Sequence, residues 1–439
     1  VTPPLARRVR ALSIHAGYCC HHTGVCCSSG WDIPVETEMH LRNALASGRL
    51  RIPEAAVTSM PARGGDVACF RVVSGLPRGA RVVFSSDSSG RCIFLDAHRH
   101  CAIHRQLGPE ALPSACRDFP RIVTLTPLGV SITLSHCCPT AASMLFAPVT
   151  PSDPRRPGRE GPTIRILENP AGFPPSWPYE GLDARDALPP PLRPGVLMDW
   201  PSLERWEKLA VAVIGDEERT PEAALRVLAA AAEDSRRWTP AEGEFRDYFS
   251  TVLERSLGGG EEENVPAFVE ALRDGFRDSR NSARGEFREW HLVAGCVPHR
   301  SLLPSPPEGL DDADRRLVAP GWPSVARPIR RWLAAKAFAS WLALQGEGLR
   351  TTALGLRVAL GVLRAEAARG CAEAGRTLDA ELLKEAVRRA DLLLVHLADP
   401  DAVARRLGRC ELPRAPTSGR PPAAPIAWPR CGPRGPGHR

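Results

Sequence analysis

"YCCHHTGVCCSSGW" (residues 18–31) places four cysteines and two histidines within fourteen positions, and its reading decides what kind of unit the first third of the chain forms. Thiolates bind borderline and soft cations strongly, and a structural site needs about four such ligands gathered from loops or strand ends. Adjacent cysteines on extended chain point to opposite faces, so each Cys-Cys pair offers one ligand per ion, or serves two metals of one cluster. Outward from this stretch, ten of the fourteen cysteines (19, 20, 26, 27, 69, 92, 101, 116, 137 and 138) and eight of the twelve histidines precede residue 139. Residues 18–150 therefore read as one unit with its own chemistry. Cys69, inside the strand-like "VACFRVV", reads as core, and Cys296, Cys371, Cys410 and Cys431 are too scattered to be expected as ligands.

The chain has 439 residues, enough to bury a core without covalent or metal staples, so the cysteines need a local reason. The opening "VTPPLARRVRALSIHAG" has arginines but no apolar run of signal-peptide length, and no later stretch reaches the ~18 apolar residues of a membrane span. The expectation is a soluble, cytoplasmic protein with no membrane partner. In a reducing compartment clustered cysteines read as metal ligands or redox groups before they read as disulfides. The formal charge of +7 does not point to nucleic acid: residues 412–439 hold five arginines and no acid, and the remainder is balanced at 52 basic to 50 acidic residues.

The pattern along the chain predicts an α+β protein: a small mixed cysteine-rich metal-binding domain followed by a mostly α-helical domain. Residues 1–17 form an N-terminal extension and 18–150 the cysteine domain. Within the latter "DVACFRVV", "ARVVFSS" and "RCIFLD" read as strands, and "RIVTLT" and "VSITLS" as a hairpin. "ETEMHLRNALASG" and "IHRQLG" read as short helices closed by glycine. Twelve prolines across residues 151–194 exclude helix and interior strand, making 151–200 a linker or extended surface wrap. Residues 201–410 read as helical, with a Pro-rich break at 298–328, and 411–439 as a disordered basic tail. Ser202 is the expected cap of a helix burying Leu203, Trp206, Ala210 and Val213. Thr239, Pro240 and Glu242 form a capping box. Pro328 opens a helix with Ile329, Trp332, Leu333, Ala337 and Trp341 on one face, and two further helical stretches cover 349–370 and 378–399. Gly258 in "SLGGGEEE" reads as a helix end, since no strand precedes it as a dinucleotide-binding loop would need.

The spacing from Cys92 to Cys101, Cys116 and Cys138 matches neither the paired knuckles of a zinc ribbon nor a ferredoxin run, so spacing indicates metal without naming it. Taken in order, however, "CHHTGVCCSSGWDIPV", "CIFLD", "CAIHRQLG", "CRDFPR" and the final "CP" resemble the zinc- or iron-chelating cysteine-cluster family that includes the flagellin lysine-N-methylases. The likeness spans residues 18–146; "RRWLAAKAFASWLA" resembles the methylases' C-terminal region more weakly. The resemblance implies Cys20, Cys26, Cys27, Cys92, Cys101, Cys116 and Cys138 as ligands of an iron-sulfur cluster or zinc. It also implies methyl transfer from S-adenosylmethionine to lysines of a flagellin-like protein substrate. Thr23 stands where family members carry a middle cysteine, with His22 or Cys19 as a replacement ligand. One extra residue lies between Cys27 and Gly30, and Cys137 is the extra member of its pair. The alternative is a non-catalytic structural zinc- or iron-binding scaffold, or a metal-handling protein.

His21, His22, His104 and His136 neighbour these cysteines and could coordinate, support ligands or serve surface roles. Arg117 and Arg121 of "CRDFPR" are candidates to hold the carboxylate of a cofactor or substrate, with pairing to Asp118 or Glu110 the plainer role for Arg117. The tryptophans at 206, 238, 290, 332 and 341 read as core. No catalytic base is identified.

Overall fold

The computed structural model describes residues 8–21, 24, 26–28, 30–54, 69–73, 81–87, 89–147, 164–177, 179–257, 287–298, 303, 305–307 and 309–408. The expected end of a helix at Gly258 and the tail 411–439 lie outside the described residues. The fold is mixed α+β with a helical C-terminal region.

Residues 9–12, expected to be part of an extension, form strand β1 (Val9–Leu12), buried along its whole length. After it come α1 (Glu38–Ala46), β2 (Phe70–Val73) and β3 (Arg81–Phe84), then α2 (Ala102–Leu107) and α3 (Ser114–Asp118). The hairpin β4 (Arg121–Thr126) and β5 (Gly129–Leu134) forms as its sequence suggests, followed by α4 (Pro139–Met144), β6 (Ile166–Glu168) and β7 (Leu182–Asp183). β6, β1, β5, β4 and β7 lie in that order in one sheet, with β1 parallel to β5 and Ala11 opposite Ile132. The proline-rich segment thus supplies only edge strands, because proline cannot donate to two neighbours. Gly129 permits the β1–β5 contact: its φ is +135°, and a Cβ there would lie 2.4 Å from the Arg8 carbonyl oxygen.

Helices α1 and α2 end at glycines with positive φ, Gly48 and Gly108, as their sequences suggest. "RCIFLD" departs from expectation. Its centre is a turn, Leu95 N–H donating to the Cys92 carbonyl at 2.9 Å, because Asp96 Oδ1 accepts from the amides of His98 and His100 and folds the chain back. An apolar cluster of Ile33, Leu41, Phe70, Phe84, Phe94 and Ile103 fills the space between α1, the β2–β3 ribbon and α2.

Beyond the short ribbon β8 (Pro191–Arg193) and β9 (Val196–Leu197), the chain is helical: α5 (Trp200–Gly215), α6 (Pro221–Arg236), α7 (Phe245–Leu257) and α8 (Arg288–Ala294) come first. Asp199, not Ser202, caps α5, accepting from the Ser202 amide at 2.6 Å. The capping box at Thr239 and Glu242 forms, on a 3-10 turn just ahead of α7. Residues 311–325, inside the expected proline-rich break, are a run of short helical turns; Pro320 and Pro323 sit in first turns, where a missing N–H breaks no bond. Then come α9 (Ala326–Ala337), α10 (Leu349–Ala374), α11 (Ala380–Asp391), a π-helical stretch Leu392–Leu397, and α12 (Pro400–Gly408). Trp341 lies past the end of α9, in a separate 3-10 turn.

Most of the sheet's buried residues, among them Val9, Ala11, Val123, Ile132 and Leu134, form a cluster of their own with Tyr18 and Phe173, while the end of β1 reaches the helical core. Leu12 and Leu145 pack with Trp206, Trp290 and Trp332. Buried Arg10 reaches Glu207 at 2.6 Å and Glu204 at 3.0 Å on α5. Thr133 and Thr124 donate to the carbonyls of Ala335 and Ala339, at and just past the end of α9, where intrahelical donors run out. Among the described residues no helix is long and apolar enough to cross a membrane.

Candidate functional site

The sulfur atoms gather from two directions. After β1 a 3-10 turn (Ser13–His15) leads to buried Tyr18, whose amide donates to the His15 carbonyl at 2.9 Å. The Tyr18 hydroxyl lies 3.8 Å from Cys138 Sγ and also contacts Cys20. Burial, with both sulfurs beside it, pushes this phenol well above its usual range, so it stays protonated, and either the hydroxyl or the Cys138 thiol can donate. Cys20 and Cys138, 118 positions apart, therefore meet at one hydroxyl. On the other side, the Cys27 carbonyl accepts the Cys92 amide at 2.9 Å, and the two residues line one crevice with Trp31 and Phe84.

Cys92, Cys101 and Cys116 are half-buried around the phenylalanine cluster. Cys101 bridges to Leu95 and directly precedes α2, and Cys116 lies in α3. The Cys26 side chain, His22 and Thr23 lie outside the described part of the structure. Among the described residues no three His, Cys, Asp or Glu side chains converge as ligands of one ion. The donor set suits a soft or borderline cation, being sulfur at every expected position. Cys69 is buried in the core, as expected, and His21 is exposed.

Behind Cys138 lies a polar centre that joins His136, a candidate from the sequence, to Asp391 and His15, which the sequence reading did not single out. Asp391, fully buried, accepts from the His136 amide at 2.5 Å and from Trp332 Nε1 at 2.9 Å, and pairs with Lys336 Nζ at 2.6 Å. Burial alone would raise its carboxyl, but Lys336 and His136 hold it well below the usual range. The His136 ring has Nδ1 3.4 Å from Asp391 and Nε2 3.2 Å from His15 Nε2. Burial lowers both imidazoles and keeps them neutral. One of the two Nε2 atoms donates to the other, the direction following the tautomers, and Nδ1 of both rings is buried with no hydrogen-bond partner.

One helix thus grips the cysteine loop residue by residue. His396 Nε2 meets Ser135 Oγ at 2.8 Å, Asp391 holds the His136 amide, and Arg388 donates to the Cys137 carbonyl at 3.2 Å. Asp391 and His396 are five positions apart, and the π turn between them, with its i to i+5 bonds, brings both to one side. His396 also packs against Trp31 and Phe119, with ring centroids 4.7 and 5.6 Å away, joining this helix to both sulfur groupings. A signal was present in the sequence: Asp391 follows Leu383 and Val387 at i+8 and i+4, on the apolar stripe of its helix. His15 has no comparable signal.

The two candidate arginines differ. Arg117 pairs with Glu180 at 3.2 Å. Arg121 lies over the rings of Tyr18, Phe173 and Trp177, 5.8, 5.9 and 5.6 Å from their centroids. Between them, Asp118 accepts from Trp177 Nε1 at 3.3 Å with one oxygen, and its other oxygen is buried without a partner. Burial raises the Asp118 carboxyl.

No protein-family model matches the chain, and comparison with curated proteins and with solved structures finds no match.

Proposed function

We propose that this chain is a metal-binding protein in which Cys20, Cys26, Cys27, Cys92, Cys101, Cys116 and Cys138 hold an iron-sulfur cluster or zinc. In this reading it is a relative of the cysteine-cluster family of the flagellin lysine-N-methylases. The observation that supports it best is the meeting of Cys20 and Cys138 at the Tyr18 hydroxyl, since nothing in packing alone requires two distant thiols at one donor. When bound, zinc would pin the loops, and an iron-sulfur cluster would supply a redox-active centre. Tyr18 would donate to the sulfurs and fix their orientation, while Asp391, His396 and Arg388 hold the Cys138 loop in place.

Methyl transfer to a protein lysine, with S-adenosylmethionine as donor, rests on the motif resemblance and forms the catalytic part of the proposal. Protein prepared without oxygen should carry iron with sulfide absorption, or zinc, and Cys116→Ser and Cys138→Ser should lower the metal content at least tenfold. A metal-free preparation whose seven thiols all alkylate at once would overturn the reading. Incubation with labelled S-adenosylmethionine and a flagellin separates the catalytic part: label on lysine supports it, and bound zinc without label leaves the scaffold alternative.

A further inference from the structure

Helices α10 and α11 leave between them an open slot of about 250 Å³ that the metal reading does not use. Its floor is apolar, made by Gly370 and Ala374 on α10 and by Leu382 and Ala386 on α11. Gly370 is the residue that needs a reason. It lies inside α10 without a positive φ, a position at which glycine weakens a helix relative to alanine. No close approach calls for it either: a Cβ there would have the Leu382 side chain, 4.0 Å away, as its nearest neighbour outside its own turns. The glycine therefore leaves open a space of about eight waters' share of liquid volume, which a larger side chain would enter and fill with packing contacts. A concave, solvent-reachable site with an apolar floor and a few polar groups is the common form of a small-molecule site.

We infer that this slot binds a short aliphatic primary amine, with the chain over Gly370, Ala374, Leu382 and Ala386 and the ammonium at Glu373. Three carboxylates and one guanidinium complete the lining. Glu366 is buried and engaged at both oxygens, by Trp290 Nε1 at 2.7 Å and Arg369 at 3.1 Å. Glu373 and Glu385 are half-exposed, and Arg389 stands between them, 3.0 Å from Glu373 Oε2 and 3.4 Å from Glu385 Oε1. Glu373 Oε1 accepts nothing from the described residues, and it belongs to an exposed side chain on the wall of the slot. Each carboxylate keeps its arginine, so binding draws on free lone pairs and the apolar floor rather than on an unpaired charge. An ionised carboxylate can only accept, so the head group must be a donor, and a cationic donor makes the stronger bond. Arg369 and Arg388 reach away to the carbonyls of Ser305 and Cys137, which leaves Arg389 as the cation facing the slot and makes an anionic head the poorer fit.

The test is isothermal titration of the full chain with n-pentylamine, n-pentanol and pentanoate, three probes with the same chain length and different heads. Saturable binding of n-pentylamine is expected with a dissociation constant on the order of 1 mM or tighter, and at least tenfold weaker binding of the other two. Gly370→Leu, which fills the floor, should weaken n-pentylamine at least tenfold. Gly370→Ala should raise the thermal midpoint and give a smaller loss of binding, since one added carbon favours the helix and narrows the slot. Glu373→Gln should bring n-pentylamine down towards the level of n-pentanol and leave n-pentanol unchanged. Absence of saturable n-pentylamine binding, equal or tighter binding of either other probe, or undiminished binding by a Gly370→Leu variant with native circular dichroism would overturn the site. If Gly370→Leu does not fold, undiminished binding by both Gly370→Ala and Glu373→Gln would overturn it instead. Metal plays no part in this measurement, so the slot and the cluster reading stand or fall separately.

Discussion

In the helical region each of the most buried acids meets a tryptophan N–H and a cation: Glu366 takes Trp290 and Arg369, and Asp391 takes Trp332 and Lys336. Around Phe84 and Phe94 the arrangement is reversed, with an apolar cluster at the centre and Cys92, Cys101 and Cys116 at its margin. The difference teaches where rigidity comes from. A buried, charge-paired polar network over-determines its surroundings, whereas a small apolar cluster tolerates rearrangement at its rim. The loop carrying Cys138 belongs structurally to the first region, while Cys92, Cys101 and Cys116 belong to the second.

The strongest way to break this contrast is Asp391→Ala. It leaves Lys336 buried without its counter-charge and the His136 amide without its acceptor, at an expected cost of about 3–5 kcal/mol in urea unfolding. Alkylation of Cys138 should then accelerate far more than that of Cys92. Phe94→Ala should cost about 3 kcal/mol but act on the other region, speeding alkylation of Cys92 and Cys101 while the helical signal in circular dichroism persists. Equal acceleration of all these thiols in both variants would show that the two regions melt as one.

Acid should act on the helical side first. Burial lowers His396 to about 4, so its neutral form stabilises the fold fully above the unfolded value near 6.5. That contribution, up to about 3 kcal/mol, is lost as pH falls from about 6.5 towards 4, because only the unfolded chain takes up the proton easily. The groups facing it are Asp391, which opposes the shift, Lys336, which adds to it, and Ser135, Trp31 and Phe119 as neutral neighbours. His396→Leu should flatten the stability profile in that window, as chemical denaturation at a series of pH values would show. The smallest effect is expected from Thr133→Val, which removes one bond to the end of α9 and should cost about 1 kcal/mol.

Local signals carried much of the architecture. The hairpin of β4 and β5, the glycine ends of α1 and α2, and the box at Thr239 and Glu242 each depend on residues within a few positions of one another. What sequence reading missed depends on distant partners. β1 shows no alternation because it is buried on both faces, and Arg10 within it makes sense only beside Glu204 and Glu207. Asp199 displaced Ser202 as a cap because the helix begins three residues earlier, at Trp200. For the candidate site, the sequence supplied the cysteines and Arg121, but the meeting of Cys20 with Cys138 and the buried Asp391, His136 and His15 join segments far apart in the chain.

The pairing of β1 with β5 and α5 also sets a timetable for biosynthesis. Arg10 leaves the ribosome 197 residues ahead of Glu207, the carboxylate that neutralises it. At typical translation speeds that is an interval of about 10–40 s. For the first part of that interval β1 also lacks β5 and β6, and throughout it lacks Glu207, so a nascent-chain chaperone has its clearest reason to hold this segment.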